Sequence, residues 1–117
     1  MSSLRDLARD FAAAAQHDYV GLWGIVSAVR DAAPELDASG RRDAVLAIVG
    51  LLLERGLVIG QFRQVSAASA PDYLFERWPE PRDEVLERIR RAWDALHEEP
   101  DIGELAWLVA PEPPVDA

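Results

Sequence analysis

Carboxylates are the reactive side chains that this sequence concentrates most strongly. After Arg91 the chain has no further Lys or Arg, and its last 26 residues hold seven acids: Asp94, Glu98, Glu99, Asp101, Glu104, Glu112 and Asp116. Paired carboxylates act as general acid and base when an apolar pocket separates their pKa values. The sequence predicts no such pocket here, and a run of acids is more typical of a solvated face. We therefore expect this segment to attract a basic protein partner rather than to catalyse a reaction.

Nucleophiles and metal ligands are sparse. The chain has no cysteine, which excludes disulfides, thiolate metal sites and a cysteine nucleophile. Its two histidines, His17 and His97, lie far apart in sequence and lack acids at a recurring zinc-site spacing. The G-x-S-x-G, P-loop and G-x-G-x-x-G patterns are absent, and Ser27 and Ser39 are expected inside a helix and at a helix cap. We predict no catalytic residue, no metal site and no cofactor.

One tryptophan stands in a setting that is typical of protein interfaces. Trp78 ends a predicted strand, with Glu76 before it and Glu80 after it. An aromatic anchor flanked by acids is common at such interfaces, although Trp78 is equally suited to cover the end of the core. Trp23 and Trp93 fall on helical stripes and are predicted to be buried. The predicted partner-binding residues are Glu76, Trp78, Glu80, Glu98, Glu99, Asp101 and Glu104.

Composition limits the class of protein. The 117 residues include 21 Asp plus Glu and 12 Arg, without any Lys, and have a formal charge of −9. Half of them are apolar, which suits one domain, predicted at residues 1–110 with a Pro-rich end at 111–117. The N-terminus lacks a signal-peptide pattern, and the longest apolar stretch is about half of what a bilayer crossing needs. We expect a cytoplasmic protein without a membrane partner.

The spacing of apolar residues predicts four helices. Ser3 and Asp6 resemble a capping box at the start of the first. Asp18 is expected to cap the second, which ends before Pro34. The third is predicted over 41–55, with Ser39 or Asp37 as its cap and Gly56 as its left-handed end. The fourth is a clear helical stripe over 82–97, opened by Pro81.

Between the third and fourth helices the period changes from helical to strand-like. Leu57 to Phe62 and Tyr73 to Trp78 are predicted to form a hairpin around a polar loop at 64–72. Residues 102–109 are predicted to be a short strand beside it, with one more helical turn as the alternative. The predicted fold is α+β and winged-helix-like: three helices, a β-hairpin that forms the wing, a long fourth helix and a short C-terminal strand.

A winged helix raises the hypothesis of DNA binding. Its third helix would enter the major groove, and phosphate contacts would need several cations. That helix offers Arg41, Arg42 and Arg55, offset by Asp43 and Glu54. The positive charge is too small to favour nucleic acid as a partner. Because a dimer would bring together Arg41 and Arg42 of two subunits, a dimeric winged-helix transcription regulator stays the alternative function.

Two segments resemble known proteins. Residues 44–58 are similar to the recognition helix and first wing strand of winged-helix domains. Residues 88–96 and 100–107 resemble small bacterial immunity proteins of toxin loci, including those of contact-dependent growth inhibition. This resemblance implies a non-enzymatic protein that neutralises a cognate basic toxin, commonly a nuclease, by masking its active or nucleic-acid-binding site. It assigns no binding residue, because these interfaces differ from pair to pair.

Overall fold

The fold combines helices with one small sheet. A computed structural model of the protein describes residues 3–64, 73–96 and 106–110. Within those ranges four helices and a four-stranded antiparallel sheet form an α+β fold, as predicted. In chain order the elements are α1 (Leu4–Ala14), β1 (Val20–Gly21), α2 (Leu22–Ala32), α3 (Ala38–Glu54), β2 (Val58–Gln64), β3 (Tyr73–Arg77), α4 (Arg82–Leu96) and β4 (Trp107–Val109).

Side-chain caps fix the starts of α1 and α3. The Ser3 hydroxyl accepts from the Asp6 backbone N–H at 3.1 Å, and the Asp6 carboxylate accepts from the Ser3 N–H at 3.2 Å, which confirms the capping box. The Asp37 carboxylate accepts from the Gly40 N–H at 2.7 Å and caps α3. Each cap satisfies backbone donors that a helix start leaves without a partner.

The predicted start of the second helix was wrong. The Asp18 carboxylate accepts from the N–H of Tyr19, the next residue, at 2.8 Å, so it caps no helix. The chain then extends through Val20 and Gly21 as β1 before α2 begins. The reason is tertiary: Val20 pairs with Leu108 of β4, a contact between distant parts of the chain that local helical spacing cannot reveal.

The C-terminal strand joins the two parts of the sheet. The strand order is β1-β4-β2-β3, and β4 is antiparallel to both of its neighbours. Leu108 faces Val20 on one side and Ile59 on the other. The β2–β3 hairpin and a C-terminal strand at 107–109 confirm those predictions. Residues 65–72, predicted as most of the wing, and 102–105 lie outside the described ranges, so the winged-helix interpretation stays a prediction.

The helices cover one face of the sheet. Ile59 and Leu108 point into a core built on the central helix α3, whose Ile48 and Leu52 are completely buried. The α4 stripe reaches the same core through Val85, Ile89 and Trp93 and confirms that Trp93 is buried. This arrangement leaves the opposite face of the sheet without a helix layer in the described part of the chain.

Two glycines occupy positions that a side chain would disturb. Gly56 has a φ of 93° and ends α3 in the predicted left-handed conformation. Gly60 lies in β2 opposite Arg77 of β3. A Cβ atom at Gly60 would overlap the backbone carbonyl oxygen of Glu76. Glycine at this position therefore permits the close approach of the two hairpin strands.

Candidate protein-binding surface

Trp78 does not present an exposed anchor. Only 7% of its surface is accessible, and it belongs to the core cluster. Its indole N–H donates to the Gln61 side-chain oxygen at 3.3 Å, which satisfies the one polar atom of the ring. Trp78 thus covers the end of the core, the alternative that the sequence left open. A partner-binding role for Trp78 stays a prediction and would involve its small accessible rim.

Glu80, a second predicted binding residue, is already paired within the chain. The Arg88 Nη1 atom donates to both Glu80 carboxylate oxygens, at 2.8 and 3.3 Å. The Arg88 guanidinium also lies over the Trp78 ring, 3.8 Å from its centroid. Sequence reasoning missed Arg88, although its position on α4, eight residues after Glu80, was visible. Glu80 therefore contributes little unbalanced charge to the surface.

The remaining predicted acids divide into two groups. Glu76 is exposed on β3, whereas Glu98, Glu99, Asp101 and Glu104 lie outside the described ranges. All 12 arginines fall within the described residues, while seven of the 21 acids do not. Most of the excess negative charge therefore belongs to segments whose placement the structure does not describe. The role of these acids in binding stays a prediction.

The face of the sheet opposite the helices, over which the described residues place no further layer, presents a group of aromatic side chains, which we call the aromatic face. Its members are Tyr19, Trp23, Phe62, Phe75 and Trp107. Phe62 lies at the centre: its ring centroid is 4.8 Å from that of Tyr19 and 5.5 Å from those of Phe75 and Trp107. All three contacts have the edge-to-face geometry that aromatic rings prefer. The face is therefore a continuous, ordered apolar surface.

Trp23 extends the aromatic face at the start of α2. A Cβ atom on Gly21 would lie 2.7 Å from the Trp23 indole and 3.1 Å from the Trp107 ring, so both indoles lie against the Gly21 backbone. Trp23 is 40% exposed and Tyr19 is 39% exposed. The prediction that Trp23 is buried was wrong, because Leu22, Ile25, Val26 and Val29 form the buried stripe of α2.

Strand alternation was the available signal for this face. Ile59 faces the helices, so Gly60 and Phe62 face the other way, and Phe75 pairs with Phe62. A strand with apolar residues on both faces is typical of a sheet that is covered on both sides. The apolar residues on both faces of β2 thus indicated a second apolar surface on the sheet, in addition to the core. This signal was missed, because the run was interpreted only as evidence for a strand.

The surface of α4 offers a groove of about 680 Å³ without a clear ligand preference. Its lining side chains are Glu80, Asp83, Glu84, Glu87, Arg88, Arg91 and Ala92. Arg88 pairs with Glu80, and Arg91 donates to Glu87 at 3.4 Å. These pairs neutralise Glu80 and Glu87, while Asp83 and Glu84 leave the lining acidic. Among the described residues there is also no group of acids and histidines that could hold a metal ion.

The helix that was considered for DNA recognition is largely covered. Arg82 of α4 donates to the Gly50 carbonyl near the end of α3, and Arg42 near its start pairs with Asp94 of α4 at 2.7 Å. Hydrogen bonds to Asp94 and then to Asp43 raise the pKa of Arg42. Arg41 donates to the Leu36 carbonyl at 3.1 Å. Two of the three arginines proposed for phosphate contact are therefore engaged within the chain.

Comparison of the chain with protein-family models, curated proteins and solved structures found no match. In the described ranges, no helix has the length and apolar character required to cross a membrane. The surfaces of the molecule are therefore the basis for its proposed function.

Proposed function

We propose that the protein is a non-enzymatic inhibitor of the immunity type, which binds a basic cognate toxin domain in the cytoplasm. Binding would mask the active or nucleic-acid-binding site of that toxin. The observation that supports a binding function best is the exposed aromatic face, since ordered aromatic side chains without a cover are characteristic of protein interfaces. The formal charge of −9 adds the preference for a basic partner.

The two features act on different steps of binding. Opposite surface potentials speed the encounter of two proteins, and this effect weakens as salt is added. Aromatic side chains that lose their water at an interface slow dissociation. An acidic chain with an aromatic surface thus combines fast capture with slow release, which an inhibitor of a toxic enzyme requires.

The alternative, a dimeric winged-helix regulator, has weaker support. It needs α3 in the major groove with free cations along it. Contacts with α4 cover part of α3, and Arg42 pairs with two acids. DNA binding by this helix would first require those contacts to open.

A co-expression assay tests the proposed function. The C-terminal domain of the protein encoded by the gene next to this one is expressed in bacteria with and without the chain. Growth arrest that the chain reverses, together with a direct complex of the two purified proteins, is the expected result. Salt-sensitive binding of the purified chain to duplex DNA, without affinity for the neighbouring protein, would instead favour the regulator.

A further inference from the structure

We propose that the aromatic face is the docking surface for the partner, and that it binds an arginine-bearing cationic protein segment by stacking guanidinium groups on Trp23 and Trp107. This inference rests on the proposed function for the sign of the partner's charge. It differs from the sequence-based prediction, which centred the interface on Trp78. The position of the aromatic face follows from the strand register and the ring contacts and does not depend on the proposed function.

The exposed large apolar side chains favour this surface over others. Among the residues whose burial the structure describes, the exposed large apolar ones are Leu4, Tyr19 and Trp23, at 38, 39 and 40%. Two of the three belong to the aromatic face, where they continue into Phe62 and Trp107. Leu4 lies apart, at the start of α1. A contiguous patch of this kind marks an interaction site more reliably than a single exposed residue does.

Charge selects a cationic occupant. A second copy of the chain would also carry a formal charge of −9, and two chains of like charge repel each other. Single-stranded nucleic acid also stacks on aromatic side chains, but it needs a positively charged groove along its backbone. The strand register places Arg77 on this face beside Gly60, while exposed Asp18 directly precedes Tyr19. One arginine in a strongly acidic chain is too little for a polyanion.

The chain already contains the contact that we propose between chains. Arg88 stacks on Trp78 at 3.8 Å and bonds to Glu80 at 2.8 Å, so one guanidinium contacts an indole and a carboxylate at once. Arginine is suited to this geometry because its planar cation is weakly hydrated and stacks on aromatic faces. At Trp78 the position is filled. The accessible indole of Trp23 offers the stacking part of this contact to an arginine from outside.

The four tryptophans provide a direct test by NMR. Trp23 and Trp107 lie on the aromatic face, whereas Trp78 and Trp93 are 7% and 6% exposed. The ¹⁵N-labelled full chain is titrated with a nine-residue arginine peptide, and in parallel with nine-residue lysine and a thymidine oligonucleotide. We expect the arginine peptide to shift the indole N–H signals of Trp23 and Trp107, to leave those of Trp78 and Trp93 in place, and to bind at least threefold more tightly than the lysine peptide.

Substitutions at residues of similar exposure provide a second test of the docking surface. Combining Tyr19→Ala with Trp23→Ala should weaken binding of the arginine peptide about tenfold or more. Leu4→Ala, which truncates an equally exposed apolar residue on α1, should leave it unchanged. Circular dichroism of each variant checks that the fold is intact.

The contrary outcomes separate this inference from the proposed function. If the arginine peptide binds but the double variant binds it equally well, the docking surface is wrong and a basic partner is still supported. Equal affinity for the lysine peptide would overturn the stacking chemistry. Binding of the oligonucleotide alone, or of no probe, would overturn the docking surface and remove the support for a basic partner. Changes in the indole N–H signals that depend only on the concentration of the chain would identify a second copy of the chain as the occupant.

Discussion

The guanidinium of Arg88 lies 3.8 Å from the ring centroid of Trp78. Through this contact, and its bond to Glu80, α4 is attached to the segment that leaves β3. Trp78 and Glu80 were predicted as binding residues, and here they stabilise the position of a helix. The contact therefore has a measurable effect on stability before any partner is considered.

Arg88→Ala should lower the free energy of unfolding by about 1 kcal/mol, because it removes a stacking contact and a partly exposed ion pair together. Urea denaturation measures the change. Arg90→Ala is the control, since Arg90 is on the same helix and pairs only with Glu87, at 3.6 Å, among the bonds described. We expect it to stay within about 0.5 kcal/mol of the parent chain. Equal effects for the two variants would contradict a special role for Arg88.

Trp78→Ala should destabilise the protein by about 3 to 5 kcal/mol, the range for truncation of a buried tryptophan. Trp23→Ala should cost clearly less than Trp78→Ala, because 40% of the surface of Trp23 is already in water. Thermal and urea unfolding of both variants gives the comparison. A Trp78→Ala protein as stable as the parent chain would show that Trp78 is not a core residue in solution.

Gly60→Ala should destabilise the hairpin by about 1 to 3 kcal/mol, because the added methyl group has to displace the β3 backbone. The matched variant is Gly24→Ala, for which no atom lies within 4 Å of the added Cβ apart from its chain neighbours and the backbone of its own helix. Within helix α2 that change should increase stability by about 0.5 to 1 kcal/mol. The midpoints of urea denaturation should therefore shift in opposite directions for the two variants. A loss of stability in both would contradict the open space around Gly24.

Acid should loosen the start of α1. Hydrogen bonds from the Ser3 backbone N–H and hydroxyl lower the pKa of Asp6 from its ordinary value. A lowered folded-state pKa contributes stability above the pKa of the unfolded chain, and this contribution is lost as the pH falls through the lowered value. NMR titration of the Asp6 carboxyl should give a midpoint below that of an unstructured peptide. In Asp6→Asn, the stability of α1 should no longer depend on this titration.

Reversing the charge of Glu98, Glu99 and Asp101 to Lys should slow association with the basic partner strongly at low salt and weakly at high salt. The reason is that exposed charges are screened over about 8 Å at physiological ionic strength. Stopped-flow mixing at two salt concentrations measures the rate. The control is the reversal of Asp31, in the last turn of α2, and of Glu35, between α2 and α3; both are exposed. A rate that falls equally for both sets would indicate an effect of net charge without a local docking site.

Local signals predicted most of the elements but not their long-range pairing. The Ser3 capping box, Gly56 and the α4 stripe are encoded within a few residues and were predicted correctly. By contrast, β1 consists of two residues, and only its pairing with β4 makes it a strand. Because β1 was not predicted, the predicted start of α2 was too early and Trp23 was wrongly predicted to be buried.

The candidate surface was less predictable than the fold. Both alternatives for Trp78 were compatible with its neighbours in sequence, and its burial in the core, with Arg88 packed against the ring, distinguishes them. The aromatic face combines Tyr19, just before β1, with residues of α2, β2, β3 and β4, so no single segment of the sequence contains it. A surface formed by five separate parts of the chain can be recognised only when the strand register is known.

The central position of β4 has a consequence for biosynthesis. A ribosome releases β1, then the β2–β3 hairpin, and only much later the strand that lies between them. Until residue 109 has emerged, β1 has no paired strand and β2 is paired only with β3, and unpaired strand edges promote aggregation. The sheet therefore closes only after β4 has emerged, through contacts of high sequence separation that fold slowly. A nascent chain stalled just before Ala106 would display the apolar residues of β2 along an open edge, as a substrate for chaperones.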